Sequence, residues 1–453
     1  MNQLLRLALA ALIPLVASAA DDKRPAGKPN IIFILADDVG LGDVGCSGGD
    51  QFKTPNIDAL AKGGTRFTQC YAAPLCGPSR AMLMTGRYAF RTGMTGNQTG
   101  NALKPASEVM MPNVLKPAGY VTAEVGKWAQ LPLQPGDWGF DEYLRFPGSG
   151  RYWRAQTTSY TLNGAQKDLP PNTYLPDLMH DFLIDFIQRH KDRPFYVHYA
   201  MSHAHGPIVR TPDSAPGTTD FYADNIAYMD KLVGRLVAEL DRLGLREKTL
   251  IFFVGDNGTA PGRAARSTVE GRQLSGRKGT TLEGGSRVPM IVNWKGTTPE
   301  AKVLGDLVDF SDFFPTFAEL AGADLPAGVT IDGRSLAAQI KGQPGAPREW
   351  AYVELNGKRY VRTARWKLNN AGELYDMKGA PFVETLVPAD STDAEAGAAR
   401  KHLGEVLEKL VGKERAQTVT TPPPATPPSP DVRAQRRLQR QLRRQNAPPP
   451  KTP

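Results

Sequence analysis

Four short, largely apolar runs alternate with polar, periodic segments along the first two thirds of the chain. The runs cover Pro29–Ala36, Tyr120–Gly126, Phe195–Ala200 and Thr249–Gly255. Runs of this kind are typical of strands that are buried on both faces, so they predict central strands of a parallel sheet. Helices are predicted between them, over Thr54–Lys62, Leu175–His190 and Tyr222–Leu243. Alternating strands and helices predict an α/β fold, with a large mixed, mostly parallel sheet flanked by helices.

The pattern changes after about residue 345. Short segments of alternating apolar and polar residues follow, separated by turn residues such as Asn356 and Gly357. They predict a small antiparallel sheet, and the periodic stretch Ala394–Val411 predicts a helix that packs on it. We therefore expect an α/β domain over residues 27–345 and a smaller C-terminal α+β subdomain over residues 346–415.

The two ends of the chain have compositions of their own. Residues 1–20 combine one arginine with a short apolar run and the small residues Ala17, Ser18 and Ala19, which predicts a signal peptide cleaved after an A-x-A site. A buried N-terminal helix is the alternative. Residues 418–453 are rich in proline and arginine and are expected to be disordered. The protein is thus predicted to be exported to a periplasm or to the cell exterior.

Composition excludes several classes of protein. The chain of 453 residues is 41% hydrophobic and 22% charged, which is typical of a globular protein with a sizeable core. No run after the N-terminus reaches the length of a transmembrane segment. Most of the net charge of +9 comes from six arginines and one lysine in the tail, so the nearly neutral body does not indicate nucleic-acid binding.

Three cysteines are too few for a scaffold held by disulfides. Cys46 and Cys70 are compatible either with a disulfide, in an oxidising compartment, or with two buried free thiols.

Oxygen-bearing side chains follow two of the predicted strands. Asp37 and Asp38 close the first run, and Asp256 and Asn257 close the last. Ligands of parallel α/β sheets bind at the carboxyl ends of strands, and carboxylate and amide oxygens suit a hard cation such as Ca²⁺ or Mg²⁺. The alternative is that these residues only cap turns or helices.

Cys76 comes just before a predicted helix that has Pro78 in its first turn. A thiol at a helix N-terminus is a candidate nucleophile or metal ligand, and a buried structural thiol is the alternative.

The segment Cys76-Gly77-Pro78-Ser79-Arg80 matches the C-x-P-S-R signature of the sulfatase family, in which the cysteine is oxidised to formylglycine. The blocks PNIIFILADDVGLGDVGCSG, GYVTAEVGKW, FFVGDNG and RKGTTLEGGSRVPMIV resemble the same family and occur in the same order. This resemblance covers nearly the whole exported body. It implies an alkaline-phosphatase-like fold, a formylglycine at position 76 made by a maturation enzyme, and a bound divalent cation, usually Ca²⁺.

The resemblance also implies roles for individual residues. Residue 76, Asp37, Asp38, Asp256 and Asn257 would bind the cation. Arg80, Lys127 and Lys278 would bind the sulfate group, and His205 would contact the sulfate and protonate the leaving oxygen. The sequence departs from the family at Ala129, because many members have a histidine there that takes a proton from the formylglycine hydroxyl. Another base, for example His203, could take this role.

The implied activity is the hydrolysis of sulfate esters, acting on a sulfated carbohydrate or an aryl sulfate. Two alternatives remain at this point. One is a hydrolase of phosphonate or phosphate esters with the same fold. The other is a catalytically impaired protein that binds sulfated glycans.

Overall fold

The computed structural model describes residues 27–411 of the chain. The predicted signal peptide and the predicted tail over residues 418–453 lie outside the described residues. Within them, a mixed sheet of ten strands is followed in the chain by an antiparallel sheet of five strands. This arrangement confirms the predicted fold class, a large mostly parallel sheet with helices and a smaller C-terminal sheet.

The strands of the described residues are β1 (Asn30–Ala36), β2 (Thr65–Tyr71), β3 (Val121–Lys127), β4 (Glu142–Phe146), β5 (Ser159–Leu162), β6 (Ala165–Asp168), β7 (Phe195–Ala200), β8 (Thr249–Gly255), β9 (Thr268–Val269), β10 (Arg272–Gln273), β11 (Arg287–Trp294), β12 (Lys302–Asp309), β13 (Ala351–Leu355), β14 (Lys358–Arg362), β15 (Trp366–Asn369), β16 (Leu374–Asp376) and β17 (Thr385–Val387). The α-helices are α1 (Pro55–Lys62), α2 (Cys76–Thr85), α3 (Ala89–Thr92), α4 (Met111–Leu115), α5 (Leu175–His190), α6 (Phe221–Arg242), α7 (Glu283–Ser286), α8 (Phe313–Ala321), α9 (Ala337–Ile340) and α10 (Ala394–Val411).

The large sheet has the strand order β12-β2-β11-β8-β1-β7-β3-β4-β5-β6. Its middle strands, β8, β1, β7, β3 and β4, are all parallel, whereas β11 runs against both of its neighbours. All four strands predicted from the apolar runs belong to this parallel centre. The sequence pattern did not reveal β2, β11 and β12, which extend the sheet on one side.

Alternate residues of β1 point into two separate cores. Ile31, Phe33 and Leu35 pack on one face, with residues of α2, α4, α8 and the small sheet. Ile32 and Ile34 pack on the other face, with residues of α1, α5 and α6. Because both faces are covered, the strand is apolar at every position, which explains why it was recognisable from the sequence.

The small sheet shares the first of these cores. Its strands follow the order β13-β14-β15-β16-β17, and Val361, Leu368 and Leu374 pack in the same cluster as Phe33 of β1. Leu403 of α10 joins that cluster, as expected for a helix that packs on the sheet. The C-terminal part is therefore attached to the α/β part through a continuous apolar interior.

Cys46 and Cys70 are both free thiols and form no disulfide with each other; Cys70 is buried as the second alternative expected, whereas Cys46 is only half-buried. Among the described residues, no helix combines the length and the apolar character that crossing a membrane requires.

Candidate active site

The register of the parallel strands brings the acidic and basic candidates to one edge of the large sheet. Ala36 at the end of β1 pairs with Gly255 at the end of β8, so Asp37 and Asp256 follow side by side. Lys127 is the last residue of β3, two strands away. This is the carboxyl edge, where α/β sheets bind their ligands.

Three carboxylates lie together at this edge, and each is almost fully buried. The backbone N–H of Asp38 donates to Oδ1 of Asp256 over 3.0 Å. Asp38 has a φ of 62°, in the left-handed region that aspartate tolerates better than most residues. Two consecutive residues, Asp37 and Asp38, thereby both contribute buried carboxylates to one site. Three negative charges in such a place require cations, because an unpaired buried charge is very costly.

Three basic side chains meet this requirement. Lys127 Nζ donates to both oxygens of Asp37, over 2.7 Å each. Arg80 donates from Nε and Nη2 to Asp256 over 3.2 and 2.9 Å, and Lys278 donates to Oδ1 of Asp38. Arg80 and Lys127 are fully buried, but the Lys278 side chain keeps 13% of its surface exposed. The basic groups thus reach from the base of the site to its opening.

The two neighbouring aspartates differ in their electrostatics. Burial raises the pKa of Asp37 to about 7, with the adjacent carboxylates adding to the rise and Lys127 opposing it. Burial acts on Asp38 as well, but Lys278 and His205 outweigh it and hold its pKa below the ordinary value. Burial and the neighbouring carboxylates therefore act together on the fully buried Asp37.

The site also contains the donors that a hard cation needs. Ligand atoms of Asp37, Cys76 and Asp256 all lie within 4.8 Å of one another. Asn257 donates from Nδ2 to Asp38 over 2.9 Å, and its buried Oδ1 has no hydrogen-bond partner among the described residues. A buried amide oxygen without a partner is costly, and a cation bound there would satisfy it. Side chains with these oxygen donors fit Ca²⁺ or Mg²⁺.

Cys76 is the first residue of α2 and only 1% of its surface is exposed. Its Sγ lies 3.5 Å from Nδ2 of Asn97, whose Oδ1 accepts a hydrogen bond from the backbone N–H of Gly77 over 2.9 Å. Sequence reasoning missed Asn97, because it lies in a loop 21 residues after Cys76 and matches no motif.

The histidines that follow β7 occupy different environments. His205 Nε2 lies 3.8 Å from Oδ2 of Asp38, and its Nδ1 donates to the Gly206 carbonyl over 2.7 Å. Burial lowers the pKa of His205 to about 3, against the opposing effect of Asp38. His203 is fully buried, and its Nε2 bonds the hydroxyl of Tyr174 over 2.9 Å. His205 therefore contacts the acidic cluster, whereas the His203 ring is engaged elsewhere.

The segment that carries Lys278 is held by the C-terminal sheet. Lys367 of β15 donates to the Thr281 carbonyl and to Oε2 of Glu384, over 2.6 Å each. The other oxygen of Glu384 accepts from the backbone N–H of Glu283 over 2.8 Å. Only 3 to 4% of the Lys367 and Glu384 side chains is exposed. This buried pair fixes the backbone three to five residues after Lys278.

A second buried ion pair anchors the end of the same segment. Arg362 of β14 donates to Oε1 of Glu283 over 2.6 Å, and Tyr71 of β2 donates to Oε2 over 3.0 Å. Nearer the site, the backbone N–H of Gly279 donates to the carbonyl of Pro74 over 2.9 Å, just before α2. Contacts from both sheets therefore determine where Lys278 lies.

The arrangement as a whole is suited to a small anion that carries a leaving group. Three carboxylates and three basic side chains balance each other, so a divalent cation would leave the site with an excess of positive charge. That excess would favour an anionic substrate group at Cys76. His205 and Lys278 are partly exposed and would be the first side chains that an entering substrate meets.

Comparison with known proteins gives consistent matches. A protein-family model described as Sulfatase matches residues 29–323. Human arylsulfatase A is 34% identical over 383 residues, covering 76% of this chain and 75% of the relative. Human arylsulfatase G is 30% identical over 496 residues, covering 92% of this chain and 94% of the relative.

A solved structure is similar over most of its length. The crystal structure of Ps i-CgsB in complex with k-i-k-neocarrahexaose aligns with a TM-score of 0.69 at 27% identity. The alignment covers 92% of this chain and 99% of that chain.

The contacts around Lys278 lead to a prediction about local stability. We expect Lys367→Met to increase amide hydrogen exchange in residues 279–286 by about 10- to 100-fold, because Glu384 is left buried and unpaired. Hydrogen exchange read by mass spectrometry measures this effect. Lys358→Met is the matched control, since Lys358 is exposed on the neighbouring strand. Equal exchange in both variants would show that the Lys367–Glu384 pair does not hold the segment.

Proposed function

Because the chain belongs to the sulfatase family and is a sulfuric ester hydrolase, we propose that it cleaves sulfate esters with a formylglycine formed from Cys76. The observation that carries this proposal is the position of Cys76. It starts α2 beside Asp37 and Asp256, and these carboxylates are bonded to Lys127 and Arg80. A reacting group at this point lies among the charges that its reaction needs.

Formylglycine in its hydrated form would supply one hydroxyl that attacks sulfur and a second that loses a proton as sulfate is released. The chain itself would hold residue 76 at the base of the site, where its first helical position and the Asn97 contact fix the side chain. Burial of Cys76 keeps bulk water away from the reacting atom.

The cation is proposed to be Ca²⁺ rather than Mg²⁺. Asp37, Asp38, Asp256 and Asn257 would hold it together with residue 76, and it would act as a Lewis acid on the attacking oxygen. The donor set supports a hard cation, because it contains several carboxylates and an amide oxygen without a partner among the described residues, and the preference for Ca²⁺ follows from the family resemblance.

Arg80, Lys127 and Lys278 would bind the nonbridging oxygens of the sulfate group. Fixed positive charges in a buried site stabilise negative charge on these oxygens as the ester bond breaks. All three are already oriented by carboxylates, so little reorganisation is needed when the substrate enters.

His205 and Lys278 would assist departure of the alcohol. The Nδ1–H of His205 is held by the Gly206 carbonyl, which leaves Nε2 facing the Asp38 carboxylate at the opening. Burial lowers the pKa of Lys278, but Asp38 and other anionic neighbours raise it above the ordinary value. Lys278 is therefore a permanent donor of hydrogen bonds, and the charge of a bound sulfate ester would favour protonation of His205.

For the substrate we propose a sulfated carbohydrate or an aryl sulfate. The similar structure of Ps i-CgsB contains a neocarrahexaose, and arylsulfatases are among the relatives. Export to a periplasm or to the cell exterior, and modification of Cys76 by a maturation enzyme, are part of this proposal.

A comparison of two esters tests the reaction type. We expect kcat/KM for an aryl sulfate to exceed that for the matched aryl phosphate by about 100-fold or more, because the chain belongs to the sulfatase family and arylsulfatases are among its relatives. Steady-state hydrolysis of both esters by one preparation measures the ratio. Cys76→Ala should hydrolyse neither ester, which controls for contaminating enzymes. A higher kcat/KM for the phosphate would contradict the proposal and indicate a hydrolase of phosphorus esters. Binding of the esters without turnover would indicate a binding protein.

A metal-binding experiment tests the acidic cluster. We expect Ca²⁺ to raise the melting temperature of the wild type, because a ligand that binds the folded state stabilises it. Asp256→Asn should lose most of this stabilisation, since the substitution preserves shape but removes a charge from the donor set. Thermal unfolding with Ca²⁺ and with a chelator measures the effect.

Asp220→Asn is the control variant, because Asp220 pairs with Arg266 on the surface. An equal response to Ca²⁺ in Asp256→Asn and in the wild type would contradict the proposed cation site.

A further inference from the structure

We propose that the side-chain amide of Asn97 donates a hydrogen bond that orients the reacting side chain of residue 76. This inference rests on the proposed function, because it concerns the same reaction. Nothing in the motifs of the sequence assigns a role to Asn97. It lies in the loop after α3, outside the block that contains Cys76.

The contact itself is short and has a defined direction. Asn97 Oδ1 lies 2.9 Å from the backbone nitrogen of Gly77, and its Nδ2 lies 3.5 Å from Sγ of Cys76. The N–H of Gly77 can only donate, so the oxygen of the amide must face it. The NH₂ group then faces residue 76 and can donate to a sulfur or an oxygen at that position, while the Cys76 thiol can itself donate to Oδ1 of Asn97 over 3.7 Å.

Asn97 is the neighbouring side chain that can orient residue 76 through a hydrogen bond. Ala129 stands where many family members have a histidine, and its methyl side chain cannot form a hydrogen bond. Among the described residues, the amide of Asn97 is the side chain that hydrogen-bonds the Cys76 thiol. It can orient residue 76, although an amide cannot act as a base, so it would replace only the positioning part of a histidine's role.

Close packing holds the amide against the start of α2. A Cβ atom placed on Gly77 would lie 2.7 Å from Oδ1 of Asn97 and 3.2 Å from Cβ of Gln130. Glycine at position 77 is therefore what allows Asn97 to approach residue 76 this closely. The side chains of Asn97 and Gln130 thus both lie close to Gly77 at the start of α2.

The loop that carries Asn97 is also fixed. Gly96 and Thr99 exchange hydrogen bonds, from the Gly96 N–H over 3.1 Å and from the Thr99 hydroxyl over 2.8 Å. The backbone N–H of Asn356, at the turn between β13 and β14, donates to the Thr95 carbonyl over 3.1 Å. A side chain on an anchored loop can set the orientation of its neighbour, as a positioning residue must.

Two substitutions separate this role from a purely structural one. Asn97 also satisfies a free N–H at the start of α2, which would stabilise the helix whatever residue 76 does. Asn97→Asp keeps the acceptor for Gly77 and removes the donor to residue 76. Asn97→Leu introduces a side chain of nearly the same size. It removes both the acceptor for Gly77 and the donor to residue 76, and it adds no charge.

We expect kcat for an aryl sulfate to fall by about 10- to 100-fold in both variants, because both lose a hydrogen bond to the reacting group. In Asn97→Leu, KM should change by less than about 2-fold, since the lost contact is not with the substrate. The melting temperature should fall only in Asn97→Leu, by about 2 °C, because only this variant loses the helix cap. Gln98→Ala, on the exposed neighbouring residue, should match the wild type.

A measurement that needs no turnover tests the same contact. In protein produced without the maturation enzyme, position 76 remains a cysteine whose thiolate reacts with iodoacetamide. Loss of the donor in Asn97→Leu should slow alkylation of Cys76 by about 3- to 10-fold, because the amide no longer stabilises the thiolate. Peptide mass spectrometry follows the rate.

The outcomes are distinguishable. Wild-type kcat in Asn97→Asp, or an unchanged or faster alkylation rate in Asn97→Leu, would overturn the proposal and leave Asn97 as a helix cap. A rise in KM of Asn97→Leu with unchanged kcat would overturn it as well, because the amide would then contact the substrate. If the wild type does not hydrolyse sulfate esters, the proposed function fails, and the alkylation rates still decide whether Asn97 acts on residue 76.

Discussion

Three carboxylates that are buried together at the carboxyl edge of the sheet impose the main constraint on this structure. Asp37, Asp38 and Asp256 lie where β1 and β8 end, because the parallel register aligns the two strand ends. Their charges must be compensated in place, since all three are almost fully buried. The basic residues that compensate these charges come from three other parts of the chain. Each of these parts must therefore lie close to the carboxyl edge of the sheet. Arg80 comes from α2, Lys127 from β3 and Lys278 from the segment before α7.

The same constraint gives the C-terminal sheet a part in the site. Lys278 is the compensating residue that lies in no helix or strand, so its backbone needs other support. Lys367 and Arg362 supply it through buried pairs with Glu384 and Glu283. Without these two ion pairs, the loop that carries Lys278 would have to hold this lysine against Asp38 unsupported. The small sheet is thus more than an appendage, because it shares the interior and also holds a part of the site.

Sequence patterns could predict the centre of the fold and the composition of the site. β1, β7 and β8 were recognisable because burial on both faces makes most positions apolar, and the acidic residues that follow β1 and β8 were recognisable because they interrupt those runs. β12 escaped prediction because its first residues are largely exposed, and β11 because Pro289 and Asn293 interrupt its apolar run. The nine candidate residues were brought together as expected, but their roles in the reaction stay predictions.

What the sequence could not reveal are contacts that depend on side chains meeting across the fold. Asn97 lies in a loop whose conformation depends on hydrogen bonds to Thr99 and to the β13–β14 turn. The ring of His203 could be assigned to the site or to the core until its bond to Tyr174 was visible. In each case the decisive fact is a distance, and no local pattern encodes it.

The most direct test of the account is the chemical identity of residue 76 in active protein. Peptide mass spectrometry of purified, active enzyme should find the peptide that contains position 76 with the loss of mass expected when an aldehyde replaces the thiol of Cys76. The modified fraction should rise and fall with the specific activity of different preparations. Active enzyme in which this peptide carries only an unmodified cysteine would contradict the account, because a thiol at this position could not release sulfate in the proposed way.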